Sequence, residues 1–290
     1  MSESTETAVR ESDQKGELAP DSSSETEEMK LECVGMTDVG SAREHNEDDF
    51  YLSRDDEALC IVADGMGGHR SGEVASAMAI KTMVEYYRET MPDDGLNGQE
   101  LGTTQTDDGE VDLNERRLVQ SIQAANSAVF EAASTNEVYR GMGTTIVSGY
   151  FTHRGVYLAH IGDSRAYRYR DGELEQRTND HSLANEYVEM GILSADDVEF
   201  FPYKNVITRA CGLSEEVEVA VHFEDVAAGD VYLFCSDGLT DMVSTERVTE
   251  LIEEIDDLED LCRTLVEEAN ENGGEDNITV VLARAQENDE

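Results

Sequence analysis

Ala58-Leu59-Cys60-Ile61-Val62-Ala63-Asp64-Gly65-Met66-Gly67-Gly68-His69 is the stretch on which the fold turns. An unbroken apolar run of this length reads as a strand covered on both faces. The run meets a carboxylate, then a glycine-rich turn, then a helical pattern over 73–89. A buried strand that ends on an acid needs a reason for the acid.

The same grammar recurs along the chain. Asp163 follows Val156-Tyr157-Leu158-Ala159-His160-Ile161-Gly162, and Asp237 follows Val231-Tyr232-Leu233-Phe234-Cys235-Ser236. Asp276 precedes Asn277-Ile278-Thr279-Val280-Val281-Leu282. Glycine flanks three of these acids, in Asp64-Gly65, Gly162-Asp163 and Asp237-Gly238, where backbone can approach a ligand closely. Carboxylates gathered at strand tips repel one another unless a cation holds them. The donors are all oxygen, which suits Mg²⁺ or Mn²⁺ and not Zn²⁺. Near the start, Arg43-Glu44-His45-Asn46-Glu47-Asp48-Asp49 adds a guanidinium able to grip a phosphate in a bidentate way.

These acids must be picked out of an acidic background. Of 290 residues, 66 are Asp or Glu and only 21 are Lys or Arg, so the net charge is −45. Such a charge argues against nucleic acid or an anionic membrane surface as partner. A hydrophobic fraction of 39% argues against full disorder. Lysine is confined to Lys15, Lys30, Lys81 and Lys204, arginine is preferred, and tryptophan is absent. The composition is read as adaptation to a high-salt cytoplasm, such as that of a halophilic archaeon, where charges are screened within about 3 Å at molar salt. Residues 1–30 hold nine acids and three bases and are expected to be a disordered acidic leader rather than a signal peptide. Residues 285–290 are expected to be an acidic tail, and 91–115, with eight acids and no base, a long solvated loop. No apolar run approaches the ~18 residues a membrane helix needs. Five cysteines without CxxC spacing are expected to be small buried thiols of a reducing compartment, and the protein a cytoplasmic monomer.

Periodicity and residue type predict strands over 31–37, 49–54, 58–63, 144–151, 155–161, 165–170, 173–176, 217–223, 231–235 and 278–283. Asp171-Gly172 predicts a hairpin between two of them. Helices are expected over 73–89, 115–133, 245–255 and 258–270, the last stopped by Gly273-Gly274. Without βαβ alternation or repeats, the class is α+β, mainly antiparallel sheets covered by helices. Residues 182–205 stand apart as a mobile acidic flap, helical around 183–190.

Seven motifs in order carry a resemblance. Arg43-xxx-Glu47-Asp48, Val62-Ala63-Asp64-Gly65-Met66-Gly67-Gly68-His69, Gly141-Met142-Gly143-Thr144-Thr145 and Gly162-Asp163-Ser164-Arg165 come first. Asp180-His181-Ser182, Ser236-Asp237-Gly238-Leu239-Thr240-Asp241 and Asp276-Asn277-Ile278-Thr279-Val280 follow. The series resembles that of the metal-dependent protein phosphatases, the PPM or type 2C family, in its compact bacterial form, and covers about residues 31–284. The resemblance implies a four-layer α-β-β-α sandwich, two central antiparallel sheets flanked by helix pairs. It implies hydrolysis of phosphoserine and phosphothreonine on proteins, opposing Ser/Thr kinases, by hydroxide between two Mn²⁺ or Mg²⁺ ions.

By the same resemblance, Asp64 bridges the two ions and the Gly65 carbonyl binds one. Asp237 and Asp276 complete one shell, Glu47 lies on the other side, and Asp163 with Asp237 serves a weaker third ion. Arg43 holds the substrate phosphate, and Asp48 and Asn277 support the ligands from behind. One departure from many eukaryotic members is Met66, where those carry a histidine proposed as general acid; methionine cannot donate a proton. His69, His181, Thr144 and Thr145 are read as structural. The alternative is a catalytically weak phosphoprotein-binding regulator of the same fold. A phosphatase for an anti-anti-sigma type of regulator is a third reading.

Overall fold

The computed structural model describes residues 30–53, 59–67, 71–90, 103–106, 109–152 and 154–286. Residues 1–29 of the expected leader, 287–290 of the expected tail and His69 lie outside these residues, as does much of the 91–115 segment, whereas Lys30 opens the first strand and residues 285–286, expected in the tail, end the last one.

In chain order the elements are β1 (Lys30–Asp38), β2 (Asp48–Leu52), β3 (Leu59–Met66), α1 (Ser71–Glu89), β4 (Thr103–Thr106), β5 (Gly109–Asp112) and α2 (Leu113–Thr135). Then come β6 (Gly143–Thr144), β7 (Ile146–Thr152), β8 (Gly155–Ile161), β9 (Arg165–Arg170), β10 (Glu173–Gln176) and α3 (Leu183–Glu189). The chain continues with β11 (Ala220–Glu224), β12 (Val231–Cys235), α4 (Asp237–Thr240), α5 (Thr245–Glu254), α6 (Leu258–Glu271) and β13 (Ile278–Gln286).

Two antiparallel sheets face each other. One runs β1-β13-β12-β9-β10, the other β11-β8-β7-β3-β2 with β6 attached to β3. Between them lie Cys60, Val62, Val147, Phe151, Leu158, Phe234 and Val281, all buried. α1 and α2 cover the outer face of the second sheet through Ala79, Met83, Leu118, Ile122 and Val129. α5 and α6 cover the first through Val248, Leu251, Leu261 and Leu265. The result is the expected four-layer α-β-β-α sandwich. β3, β12 and β13 are covered on both faces, which is why each reads as a continuous apolar run.

Local chemistry sets the boundaries. At the β9–β10 hairpin, Asp171 and Gly172 both take positive φ, 54° and 86°, as a two-residue primed turn requires. α6 is capped by the Asp257 side chain, which accepts from Asp260 N–H at 2.8 Å.

The reading of 91–115 as a loop is corrected at its C-terminal end: β4 and β5 pair as a hairpin, and α2 begins at Leu113. The Asp112 side chain accepts from the N–H groups of Asn114 at 2.8 Å and Glu115 at 3.4 Å, which starts the helix two residues early. The strand Thr103-Thr104-Gln105-Thr106 carries no apolar alternation to announce it. β3 also runs past its expected end through Asp64 and Gly65, because Gly65 pairs with Thr144 of β6.

Candidate metal centre and active site

The acids singled out by context meet at one end of the sandwich. β2 and β3 set Asp48 opposite Asp64 in register. Asp237 is the first residue of α4, and Asp276 lies two residues before β13. The β12 and β13 ends are tied together by Ser236 N–H to Thr279 O at 3.2 Å. Asp163 lies in the turn between β8 and β9 and is buried.

Electrostatics records the crowding. Burial first, then the charges of Asp48, Asp237, Asp163 and Asp276, push the Asp64 carboxyl well above the usual carboxylate range. Burial raises Asp48 to about 7, against the pull of hydrogen bonds from Thr279 and Ser236, and Asp237 and Asp276 add to the rise. Asp163 rises to about 7 through burial and its neighbours Asp237 and Asp180. Asp237 rises to about 6 through burial, Asp276 and Asp241. Glu47 is raised by burial, partly offset by the Gly72 N–H and Arg43.

Each of three acids keeps one buried oxygen without a hydrogen-bond partner: Asp48 Oδ1, Asp163 Oδ1 and Asp237 Oδ1. A buried polar atom left unpaired costs about 1–3 kcal/mol, more when charged. Cations among these oxygens would relieve both the repulsion and the orphaned lone pairs. Among the described residues no three His, Cys, Asp or Glu groups close around a single point as a metal cage. Mg²⁺-like ions retain several waters and take only one or two carboxylates each, so an open group of aimed oxygens suits them. Cys211, Cys235 and Cys262 are free thiols pushed up to about 12 by burial, which favours the thiol over the metal-binding thiolate at each.

Hydroxyls and amides fix the acids. Asp48 Oδ2 accepts from Ser236 Oγ at 2.8 Å and Thr279 Oγ1 at 2.7 Å, so β2 is pinned to the ends of β12 and β13. The Asp64 N–H donates to Thr145 Oγ1 at 3.0 Å, and its carbonyl accepts from Thr145 N–H at 2.8 Å and Thr144 Oγ1 at 2.9 Å. The Asn277 side chain meets three backbone groups. Its Oδ1 accepts from Glu47 N–H at 2.8 Å, and its Nδ2 donates to Val39 O at 2.9 Å and His45 O at 3.0 Å. Asn277 thereby carries the loop that presents Arg43 and Glu47.

Gly65 lets three elements meet: a Cβ there would lie 2.2 Å from Gly72 O and 2.5 Å from Glu47 O. Glu47 in turn accepts the Gly72 N–H on Oε1 at 3.3 Å, at the start of α1. Arg43 sits at the rim, half exposed, with Nη2 2.6 Å from Asp276 Oδ2. It is thus inside the cluster, paired with one of the acids rather than standing free. His181 lies behind Asp163 against Gly162, in keeping with a structural role.

Sequence reasoning singled out the carboxylates, Arg43, Gly65 and Asn277, and the structure brings all of them together. It passed over the positioning hydroxyls of Thr144, Thr145, Ser236 and Thr279. Thr144 ends β6, but Thr145, expected within a strand, lies in the one-residue break before β7, and their side-chain bonds span 80 and 81 positions to Asp64. No local pattern marks such a partner.

Comparison with known proteins agrees with this geometry. The family model for protein phosphatase 2C matches residues 40–283. The serine/threonine phosphatase stp of Listeria monocytogenes is 37% identical over 248 residues, 85% of this chain and 92% of that protein. Protein phosphatase PhpP of Streptococcus pneumoniae is 36% identical over 264 residues, 89% and 99% of the two chains. The crystal structure of the Mycobacterium tuberculosis serine/threonine phosphatase PstP/Ppp superposes with a TM-score of 0.76 at 35% identity, covering 89% of this chain and 99% of that one. The PstP catalytic domain solved with two manganese ions gives 0.74 at 33%, covering 89% of this chain and 100% of that one. Motif order, sheet topology, clustered carboxylates and relatedness over most of the length converge: the chain belongs to the protein phosphatase 2C family.

Proposed function

We propose that the protein hydrolyses phosphoserine and phosphothreonine on other proteins in a reaction that depends on divalent cations. The observation that carries this reading is the group of Asp48, Asp64, Asp163 and Asp237, destabilised as anions by burial and by one another's and Asp276's charges and holding orphaned buried oxygens beside an arginine. Two Mn²⁺ or Mg²⁺ ions would be held by Asp64, the Gly65 carbonyl, Asp237, Asp276 and Glu47, and a third, weaker one by Asp163 with Asp237. When bound, such ions supply Lewis acidity and a nucleophilic water at neutral pH.

The protein's own contribution follows from its geometry. Arg43 exchanges its exposed partner Asp276 for the substrate phosphate, an exchange made easy because an exposed ion pair is worth only about 0–1 kcal/mol. Asp276, freed of Arg43, would be available to hold a cation. Asp48, anchored by Ser236 and Thr279, keeps one buried oxygen unpartnered, which can orient water. Met66, at the end of β3, offers no proton, so the leaving serine or threonine oxygen takes its proton from a metal-bound water or another group.

The acidic surface supports a working environment of high salt, and the unpaired cysteines support a reducing, cytoplasmic compartment. No helix among the described residues is long and apolar enough to cross a membrane. Phosphoproteins and the Ser/Thr kinases that made them are the partners this reading implies, with the enzyme acting as a monomer.

The test is hydrolysis of p-nitrophenyl phosphate and of a phosphothreonine peptide with Mn²⁺ across a KCl series. EDTA-sensitive release of phosphate is expected. A folded sample with no such turnover would refute the assignment.

A further inference from the structure

Cys33 and Cys60 meet across the sandwich. Cys33 is on β1 of the first sheet and Cys60 on β3 of the second. Both side chains enter the core between the sheets, Cys60 buried within it and Cys33 packed against it. Leu52 of β2 stands opposite Cys60 in the β2–β3 ladder, so these two side chains are neighbours on one face. Gly35 lies two residues after Cys33 and so shares its face of β1. A Cβ on Gly35 would lie 2.5 Å from the Phe50 ring and 3.1 Å from Leu52 Cδ1. Packed sheets ordinarily stand about 10 Å apart. At this edge the first sheet presses onto the second, and the missing side chain of Gly35 allows it. The Cys33 and Cys60 sulfurs come into hydrogen-bonding contact there.

The two thiols are not equivalent. All five cysteines are among the described residues, and Cys33 alone of them is not buried. It belongs to an edge strand, paired on one side only, with β13. The hydrogen bond from the Cys60 thiol holds Cys33 below the ordinary thiol range, against burial and the Glu32 charge. The same bond, and then burial, hold Cys60 well above that range. Burial pushes Cys211, Cys235 and Cys262 up to about 12. Cys33 is therefore the thiol that ionises and meets solvent, and Cys60 is a second thiol waiting behind it. The phosphatase reading uses neither.

We propose that Cys33 and Cys60 form a modification site for low-molecular-weight disulfides, which exchange with the pair and leave a disulfide joining the two sheets. The Cys33 thiolate attacks one sulfur of the reagent, forming a mixed disulfide and expelling the first thiolate, which takes up the proton that Cys33 gave to solvent. Cys60 then loses its proton to solvent and attacks the Cys33 sulfur. The Cys33–Cys60 bond forms, and the second thiolate leaves and is protonated in turn. The two cysteines are oxidised by two electrons, and the reagent is reduced to two thiols. A disulfide between facing sheets is compatible with sandwich geometry, as in antibody domains. In a reducing compartment such a bond is transient and redox-sensing. The proposal holds whether or not the protein is a phosphatase.

The experiment treats the full chain, folded in high salt, with oxidised glutathione, then alkylates it and maps the peptides without reduction. In the wild type the peptide holding Cys33 should be joined to that holding Cys60, two hydrogens lighter than the free pair, and dithiothreitol should part them. Cys60→Ala should stop at one glutathione on Cys33. Cys33→Ala should leave Cys60 reduced. Before oxidation, iodoacetamide should label Cys33 at least about 10-fold faster than Cys211, Cys235 or Cys262, since one pKa unit is tenfold in thiolate. A folded wild type that stays reduced, or that stops at the mixed disulfide, would overturn the proposal. So would glutathione reaching Cys60 in Cys33→Ala as fast as in the wild type. Should Cys60→Ala fail to fold, the wild type and Cys33→Ala, changed at the less buried position, decide between these outcomes.

Discussion

Asp48 and Asp64 stand opposite each other in the β2–β3 ladder, with their side chains on one face of the sheet. The charge of the first raises the pKa of the second. Like charges directly opposite in a ladder destabilise it. Asp163, Asp237 and Asp276 add their charges around the pair, so stability is expected to depend on pH and on cations.

The metal-free protein loses stability as pH rises through neutrality. An unfolded aspartate titrates near 3.9, whereas Asp237 titrates at about 6 and Asp48 and Asp163 at about 7 in the fold. Between pH 4 and 7 the folded state binds more protons than the unfolded state, so unfolding becomes easier with rising pH. Melting curves in EDTA from pH 5 to 8 should show a falling Tm. Saturating Mn²⁺ should flatten or reverse the slope, and an unchanged slope would refute the cation assignment.

Asp237→Asn separates function from folding. It removes one charge and leaves an amide of the same shape. The metal-free Tm should hold or rise, because repulsion from Asp276 and Asp241 is relieved. Activity should fall by more than about 100-fold, beyond the 10–100-fold typical of losing a residue that only orients a ligand. Steady-state kinetics beside thermal melts in EDTA measures both.

Arg43→Ala should cost the fold little, since its ion pair with Asp276 is half exposed. A charged hydrogen bond to phosphate is worth about 1.5–3 kcal/mol. The expected loss in kcat/KM is therefore about 10–150-fold, with Tm changed by less than about 1 kcal/mol equivalent.

Thr145→Val keeps the shape and strips the hydroxyl that receives the Asp64 N–H and meets Ser164. A buried N–H left unpaired costs about 1–3 kcal/mol. Denaturant unfolding should show a loss in that range, with lower Mn²⁺ affinity by titration calorimetry.

Salt should be required for the native fold. A net charge of −45 repels itself at low ionic strength. Near-UV circular dichroism should weaken on dialysis from molar KCl to 50 mM and recover on return. A spectrum unchanged at low salt would rule out halophilic adaptation.

The sequence by itself determined the strand tips and what they carry. A strand covered on both faces must be apolar throughout, so an acid at the end of β3 or just beyond β12 is visible as an interruption. The same rule identified Asp163 and Asp276, and helical spacing identified α1, α2, α5 and α6 because their inner faces must be apolar. Asp171-Gly172 and Gly273-Gly274 were legible because backbone conformation there depends on local residue type alone. Only the tertiary structure decided which hydroxyls hold the acids in place. Thr279 reaches Asp48 across 231 positions, and Asn277 reaches Val39 across 238. A threonine in a strand satisfies β-propensity whether or not its hydroxyl has a partner, so its sequence context is silent about that partner. The Arg43–Asp276 pair and the His181 link to Gly162 are of the same kind. They exist because two sheets bring distant chain ends to one edge, and burial then requires each polar group there to find a partner.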